Sequence, residues 1–422
     1  MAKTLRIDMP HSTDARRRAV GIMVSSGCAR VSGTLIATTG RGLDVEADIV
    51  GSLGVDVPGP TVSMFVAAGG ATLPARSLAA FRAKLTEIET LVAGELLTGL
   101  GVAAPRVLVA GVHDPGLWGI GHSGPIGCIS LCDAARLAEA TGLNVVDAFP
   151  ARDLAQGGLG GPLTAVPEWI LLKHARRNRV LLDLGRSVRM TYLPAVKTHF
   201  AASRVLSFEV GPGTRMLDLL VERLTGGEHR FDPGGRLSVQ GRRITELIEH
   251  WLADPYFDRP LPRWHPRGVG AERFLTDALQ KAVDSQWSVR DLLCSATHFI
   301  AETVALALRT RIPEDAQIDE LVVTGGGQLN GMLLREIGRT TDLPLIGTPE
   351  LGFPDGSLEP ACVALLALLH VDQVPANQTA ITKADVPRPL GRLTPGSPQS
   401  WQQLIHASRD SSTAKRPLRS AM

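Results

Sequence analysis

The residue of this sequence best placed for proton chemistry is an aspartate set directly before a run of glycines, in Ala151-Arg152-Asp153-Leu154-Ala155-Gln156-Gly157-Gly158-Leu159-Gly160-Gly161-Pro162. A glycine segment of this kind builds no core of its own and serves geometry. A carboxylate beside it can take a proton from water or from a hydroxyl that comes within hydrogen-bond reach. Asp153 is therefore the preferred general base, although capping a turn or pairing with Arg152 is the commoner role of an aspartate in a loop. Local sequence does not separate it from Asp147, Asp183, Asp218 or Glu209, which lie near other motif segments.

Three glycine turns follow apolar, strand-like runs, the place in an α/β protein where a ligand meets the amides of the next helix. The first is Ser25-Ser26-Gly27. The second, Gly211-Pro212-Gly213-Thr214, opens a helical run, so that its amides suit a phosphate. The third, Gly325-Gly326-Gly327, follows residues 321–324 and allows close approach of a flat ligand such as adenine or ribose. Taken singly, each is as readily a structural turn. Neither GxxxxGK[ST] nor a GxGxxG opening a βαβ unit occurs, which excludes a P-loop ATPase and a classical dehydrogenase. A nucleotide held by several separated glycine turns across a cleft is the arrangement of the actin/hexokinase architecture.

Strand-like runs at 19–23, 106–110, 180–184 and 321–323 alternate with helical periodicity at 77–97, 132–141, 214–224 and 289–309, the pattern of an α/β chain. With 422 residues the chain is too long for one compact core, and two domains are expected. A stretch from Asp254 with four prolines and several large side chains predicts a long ordered loop on the substrate side or between domains. The expected division is an extension at 1–18, an amino-terminal domain at 19–177 with the Asp153 loop, a nucleotide-side domain at 178–350, a segment at 351–396 returning to the first domain, and a loose tail at 397–422.

The 44 Lys and Arg against 42 Asp and Glu give a net charge of +2, no field for nucleic acid or an anionic membrane. The five cysteines, Cys28, Cys128, Cys132, Cys294 and Cys362, are odd in number and scattered, as in a reduced compartment. Cys128 and Cys132 have the spacing to meet on one helical face, as a metal pair or a disulfide, but no second ligand pair accompanies them. No secretory signal is evident and no stretch approaches the roughly 20 apolar residues of a membrane span, so a cytoplasmic protein is expected.

Six segments in order, AEATGLNVVDAF with ARDLAQGGLGGPL, SFEVGPGTRMLD, ADPYFDRPLPR, VVTGGGQLNGML and PLGRLTPG, resemble the anhydro-N-acetylmuramic acid kinase family over about residues 19–396. The resemblance implies a two-domain actin-like ATPase fold, of ribonuclease H-like domains, with a nucleotide and sugar cleft. It implies ATP and Mg2+, an amino-sugar substrate of cell-wall turnover and a homodimer. Asp153 falls on the family's catalytic base, Gly211, Pro212 and Gly213 on its phosphate turn, Gly325, Gly326 and Gly327 on its adenosine-side turn, and Glu359 also matches. Ser25, Ser26 and Gly27 fall in its first phosphate loop, and His113 and Asp133 on its sugar-side segments; no metal ligand is assigned.

The sequence departs from the family pattern at four places. Ala29 stands where the first phosphate loop has an acid, although Arg30 beside it suits a phosphate. Arg186 breaks a glycine pair in Asp183-Leu184-Gly185-Arg186-Ser187-Val188-Arg189; its charge fits a phosphate while its bulk obstructs close approach. Only His113 remains of one sugar segment and Asp133 of another, and either suits a local hydrogen-bond network as well. The alternative to an active kinase is thus a catalytically impaired relative that binds sugar or nucleotide as a sensor or partner subunit. A filament-forming relative has no use for the loop around Asp153.

Overall fold

The computed structural model describes residues 6–7, 16–68, 74–121, 124–196, 201–266, 268 and 270–413. The chain forms two compact units. The first comprises Met1–Leu171, Gly356–Asn377 and Ala384–Met422, and the second Leu172–Asp355 and Gln378–Lys383.

In the first unit the strands are β1 (Arg6–Ile7), β2 (Arg17–Val24), β3 (Arg30–Thr39), β4 (Glu46–Asp56), β5 (Val109–His113), β6 (Leu117–Gly121), β7 (Gly124–Ile129) and β8 (Val145–Asp147). Its main sheet runs β1-β4-β3-β2-β5-β8 and ends on a short strand, Arg392–Thr394. β2, β3 and β4 form an antiparallel meander, and β5 and β8 continue parallel to β2. β6 and β7 make a separate hairpin.

The second unit repeats this plan with β9 (Arg179–Leu184), β10 (Ser187–Leu193), β11 (Leu206–Pro212), β12 (Glu320–Thr324) and β13 (Leu345–Gly347), in the order β11-β10-β9-β12-β13. The first three are again antiparallel and the last two parallel to β9. Parallel pairs need a crossover, whereas hairpins do not, and this combination of the two is the ribonuclease H-like sheet. Its occurrence in both units makes the fold the actin-like ATPase architecture.

Helices cover the sheets where apolar residues recur every three or four positions. The helix Ala75–Gly99 buries Phe81, Leu85, Ile88, Val92 and Leu96 on one face. The helix Leu358–Val371 is buried nearly all round and lies against β2 and β5. It comes so close that a Cβ on Gly21 would sit 1.7 Å from the Pro360 carbonyl oxygen, and one on Gly111 2.4 Å from that of Val363. Gly21→Ala is expected to destabilise the fold by about 1–3 kcal/mol through overpacking, read as a lower denaturation midpoint; an unchanged midpoint would mean that this helix can shift freely.

In the second unit the helix Val289–Arg311 starts at a capping box between Ser288 and Asp291. By length and composition this one helix could cross a membrane, contrary to the sequence expectation, but Phe299, Ile300 and Val304 are buried within the unit's core. The described residues of the proline-rich stretch from Asp254 belong to this same unit. Tyr256 and Phe257 are buried, and the Arg263 guanidinium donates to the Glu209 carbonyl at 2.8 Å and lies 4.6 Å over the Tyr256 ring. That packing places it on the second unit's own core.

The terminal segments are more structured than expected. Arg17 and Arg18 open β2, where the Arg17 guanidinium bridges both oxygens of Asp372. The stretch expected as a loose tail is helical over Pro398–Thr413, with Ser400 and Leu404 buried and the Ser400 carbonyl accepting a hydrogen bond from Asn144 Nδ2 at 2.9 Å. Residues 1–5, 8–15 and 414–422 lie outside the described residues.

Candidate active site

Asp153 sits in the single helical turn Pro150–Leu154 of the first unit and is fully buried. Its Oδ2 accepts the Gly160 amide at 2.8 Å, and its Oδ1 accepts Asn377 Nδ2 at 2.7 Å. Asn377, itself buried, is fixed by accepting the Arg388 amide at 2.7 Å. The glycines follow from this wrapping: a Cβ on Gly158 would lie 2.2 Å from Asp153 Oδ2, and one on Gly160 2.7 Å from the Trp118 ring. Gly157 and Gly160 also take positive φ, 71° and 78°. Among the described residues no cation pairs with Asp153, and Arg152 is exposed. A buried carboxyl held only by neutral donors is costly for a purely structural role.

His113 ends β5 and meets Phe149 edge to face, with ring centroids 6.3 Å apart. Burial pushes its pKa down, and the charge of Asp114 pushes the other way. Together with Asp114, Cys128, Ser130, Pro150 and Ala151 it lines a cavity of about 10 Å³, the dimensions of a single water site. Since Pro150 and Ala151 belong to the Asp153 helix, the fold brings His113 and that helix together. Asp133 takes no part in this cavity. It caps the helix Ala134–Thr141, accepting the Arg136 amide at 3.2 Å, which is the local-network reading of that residue.

Sequence reasoning left out Asp114, whose carboxyl accepts from the amides of Gly116, Leu131 and Cys132 and from Ser130 Oγ at 2.8–3.1 Å and so anchors the β6–β7 hairpin. It also left out Asn377, 224 residues from its partner, and the pairing of buried Asp147 with Arg392 at 2.7 Å. Asp147 and Arg392 both lie in segments that carried the family resemblance, a signal that could have linked them.

The turn holding Ser25, Ser26 and Gly27 joins β2 to β3. Ser25 Oγ accepts the amides of Ala29 and Arg30, each at 3.1 Å, so this side chain fills part of the turn. Arg30 pairs with Asp56 on the surface at 2.6 Å.

In the second unit the other two glycine turns come together on the β9–β10 hairpin. The carbonyls of Gly185 and Arg186 accept the amides of Thr214 and Gly213 at 2.8 and 3.0 Å. These amides, which the sequence suggested for a phosphate, therefore hold the hairpin. Gly211 and Pro212 are buried in β11, and a Cβ on Gly213 would lie 2.3 Å from the Gly185 carbonyl oxygen. On the other side Gly325, at φ 82°, has room for a Cβ only 2.6 Å from Asp183 Oδ1, and Gly327 packs on Leu184. Gly326 is exposed, a Cβ there would meet nothing, and Leu329 beside it is 71% exposed, which leaves an open apolar surface at this turn.

Two ribonuclease H-like units, with converging glycine turns in the second and a carboxyl under a glycine loop in the first, define a protein of the actin-like class to which sugar kinases belong. The family model described as anhydro-N-acetylmuramic acid kinase matches residues 61–396, and the chain belongs to that family. It is 28% identical over 390 residues to the anhydro-N-acetylmuramic acid kinase of Acaryochloris marina, covering 89% of this chain and 98% of that one. It is 30% identical to the enzyme so named from Synechococcus sp. strain CC9311, covering 90% and 100%. A gluconate kinase structure from Lactobacillus acidophilus is similar over 95% of this chain and 98% of that one, at 10% identity and a TM-score of 0.43. The family model begins after the β2–β3 turn, so Ser25, Ser26 and Gly27 lie outside the matched residues.

Proposed function

We propose that the protein is an ATP-dependent carbohydrate kinase that opens 1,6-anhydro-N-acetylmuramic acid with water and phosphorylates O6, giving N-acetylmuramic acid 6-phosphate in cell-wall recycling. The observation that carries this reading is Asp153, buried without a counter-cation under its glycine loop, within a chain that matches this kinase family over residues 61–396.

Asp153 takes a proton from the attacking water as its oxygen bonds to the anomeric carbon and the bond from that carbon to O6 breaks. The freed O6 then attacks the γ-phosphorus, and ADP leaves. Asn377 and the Gly160 amide orient the carboxyl, and each leaves its oxygen a further lone pair to accept from water. Because Asp153 has no exposed surface, substrate reaches it by displacing part of the glycine segment, whose positive-φ residues give that freedom. His113 walls the adjoining water-sized cavity, and a sugar group reaches it only once that cavity opens with the glycine segment.

The second unit suits the nucleotide. Exposed Gly326 and Leu329 offer the base a flat, partly apolar surface, and the converging turns allow close backbone approach. Bound ATP supplies the phosphoryl group, and magnesium arriving with it needs only one or two protein oxygens. The five free cysteines fit a reducing cytoplasm.

The test is transfer of labelled γ-phosphate from magnesium-ATP to 1,6-anhydro-N-acetylmuramic acid. Product carrying the label on O6, with the anhydro bridge opened, is expected. No transfer by folded protein at high substrate would overturn the kinase reading.

A further inference from the structure

The face that the two glycine turns present in the second unit carries two guanidinium groups, of which only Arg215 has an acid within ion-pairing distance among the described residues. Arg186 stands at the tip of the β9–β10 hairpin and is exposed. Among the described residues its side chain has no hydrogen bond and no carboxylate within 4.0 Å. Arg215, in the first turn of the helix Thr214–Leu224, has a buried Nε without hydrogen-bond geometry, 3.5 Å from an oxygen of the exposed Glu272. The two arginines feel each other's charge, with Asp218 and Glu272 the acids near enough to offset it. Like charges brought together in this way are repulsive unless an anion joins them.

The backbone explains why side chains must do this. The amides of Gly213 and Thr214 are engaged by the hairpin carbonyls, so an anion approaching the turn is left with Arg186 and Arg215 as its strong donors. The same two hydrogen bonds fix the hairpin tip to the start of the helix and thereby fix both arginines on one face.

We infer that Arg186, acting with Arg215, grips the polyphosphate of the nucleotide and is the residue by which this chain distinguishes ATP and ADP from adenosine. The inference rests on the nucleotide part of the proposed function. Arginine presents a planar fork of donors that matches phosphate oxygens, and a charge-assisted bond of this kind contributes about 1.5–3 kcal/mol, or roughly 10- to 150-fold in affinity.

The test is calorimetric binding of ATP, ADP and adenosine to the full-length chain and to R186A, R186K and R215A, without sugar. R186A is expected to lose about 10- to 100-fold in affinity for ATP and ADP and less than about 2-fold for adenosine, with R186K between the two. Being exposed, Arg186 can be replaced without disturbing the core, and matching denaturation midpoints establish this. Equal loss for all three ligands, or no loss for ATP, overturns the inference while leaving the kinase reading intact. A wild-type chain that binds no ATP overturns both. ATP binding that depends on Arg186, in a protein that transfers no phosphate to the anhydro sugar, supports the inference and removes the kinase reading.

Discussion

Asp153→Asn is expected to lower kcat for phosphorylation of the anhydro sugar by about 10²–10⁴, the range associated with loss of a general base. The substitution keeps the volume of the side chain and removes its capacity to take a proton. Both of its partners, the Gly160 amide and Asn377 Nδ2, are donors, so an asparagine must turn its own NH2 toward one of them. Asn377 has no easy way to invert, because its oxygen already accepts the Arg388 amide. The variant should therefore also lose about 1–3 kcal/mol of stability. The two effects separate experimentally: kcat is measured on protein shown to be folded, and KM for ATP, governed in our proposal by the glycine turns of the second unit, should be little changed. A kcat within about threefold of wild type would remove Asp153 from the chemistry.

Part of this site was legible from sequence because its constraints are local. Asp153 and its glycines lie within eight residues of one another, and the close approach that demands Gly158 is to the Asp153 carboxyl itself. The helical periodicities mapped well, the helix expected over 214–224 spanning Thr214–Leu224, while the strand expected at 106–110 lies three residues later, at Val109–His113. The partners that complete the site could not be read in the same way. Asn377 reaches Asp153 across 224 positions, and nothing in its neighbours marks it as a ligand of a carboxyl.

The phosphate turn illustrates a second limit. A glycine after a strand suggests a free amide, but whether that amide is free depends on which other backbone lies against it. At Gly213 it is the β9–β10 hairpin, itself distant in sequence. For the carboxy-terminal helix the sequence shows only a short amphipathic run at 401–405, outweighed there by polar composition, while the residues that anchor it, Ser400 and Leu404, do so through Asn144 and neighbours in the first unit.

A larger effect on stability is expected at Glu89, a residue without any role in the reaction. It lies on the inner face of the helix Ala75–Gly99, fully buried, and among the described residues neither carboxyl oxygen has a partner in good hydrogen-bond geometry, Cys132 and Thr86 being the polar groups close by. Burial first, and then the charge of Asp114 with a smaller push from Asp147, raises its pKa from 4.5 to about 8, which Cys132 and Thr86 only partly relieve. Cys28 and Cys132 face the same cluster, but burial holds the Cys28 thiol up at about 12 and Cys132 well above its usual range. They stay protonated across the range in which Glu89 titrates.

The folded protein thus keeps a proton that the unfolded chain gives up between pH 4.5 and about 8. In that window the folded state binds more protons, so stability falls as pH rises, by up to about 1.4 kcal/mol per unit from this group. The contribution is fully present below pH 4.5 and is lost by about pH 8, a total on the order of 5 kcal/mol. Glu89→Gln has the same shape and no proton to lose. Denaturant titrations from pH 5 to pH 9 should show the wild type losing stability toward alkaline pH and the variant losing much less, so that the variant becomes the more stable of the two near pH 8. Parallel curves for the two proteins would mean that Glu89 is ionised in the fold and that a charge partner compensates it. Activity tested at low pH, where both side chains are neutral, should be the same, because the group supports the helix behind the sheet and touches neither Asp153 nor the glycine turns.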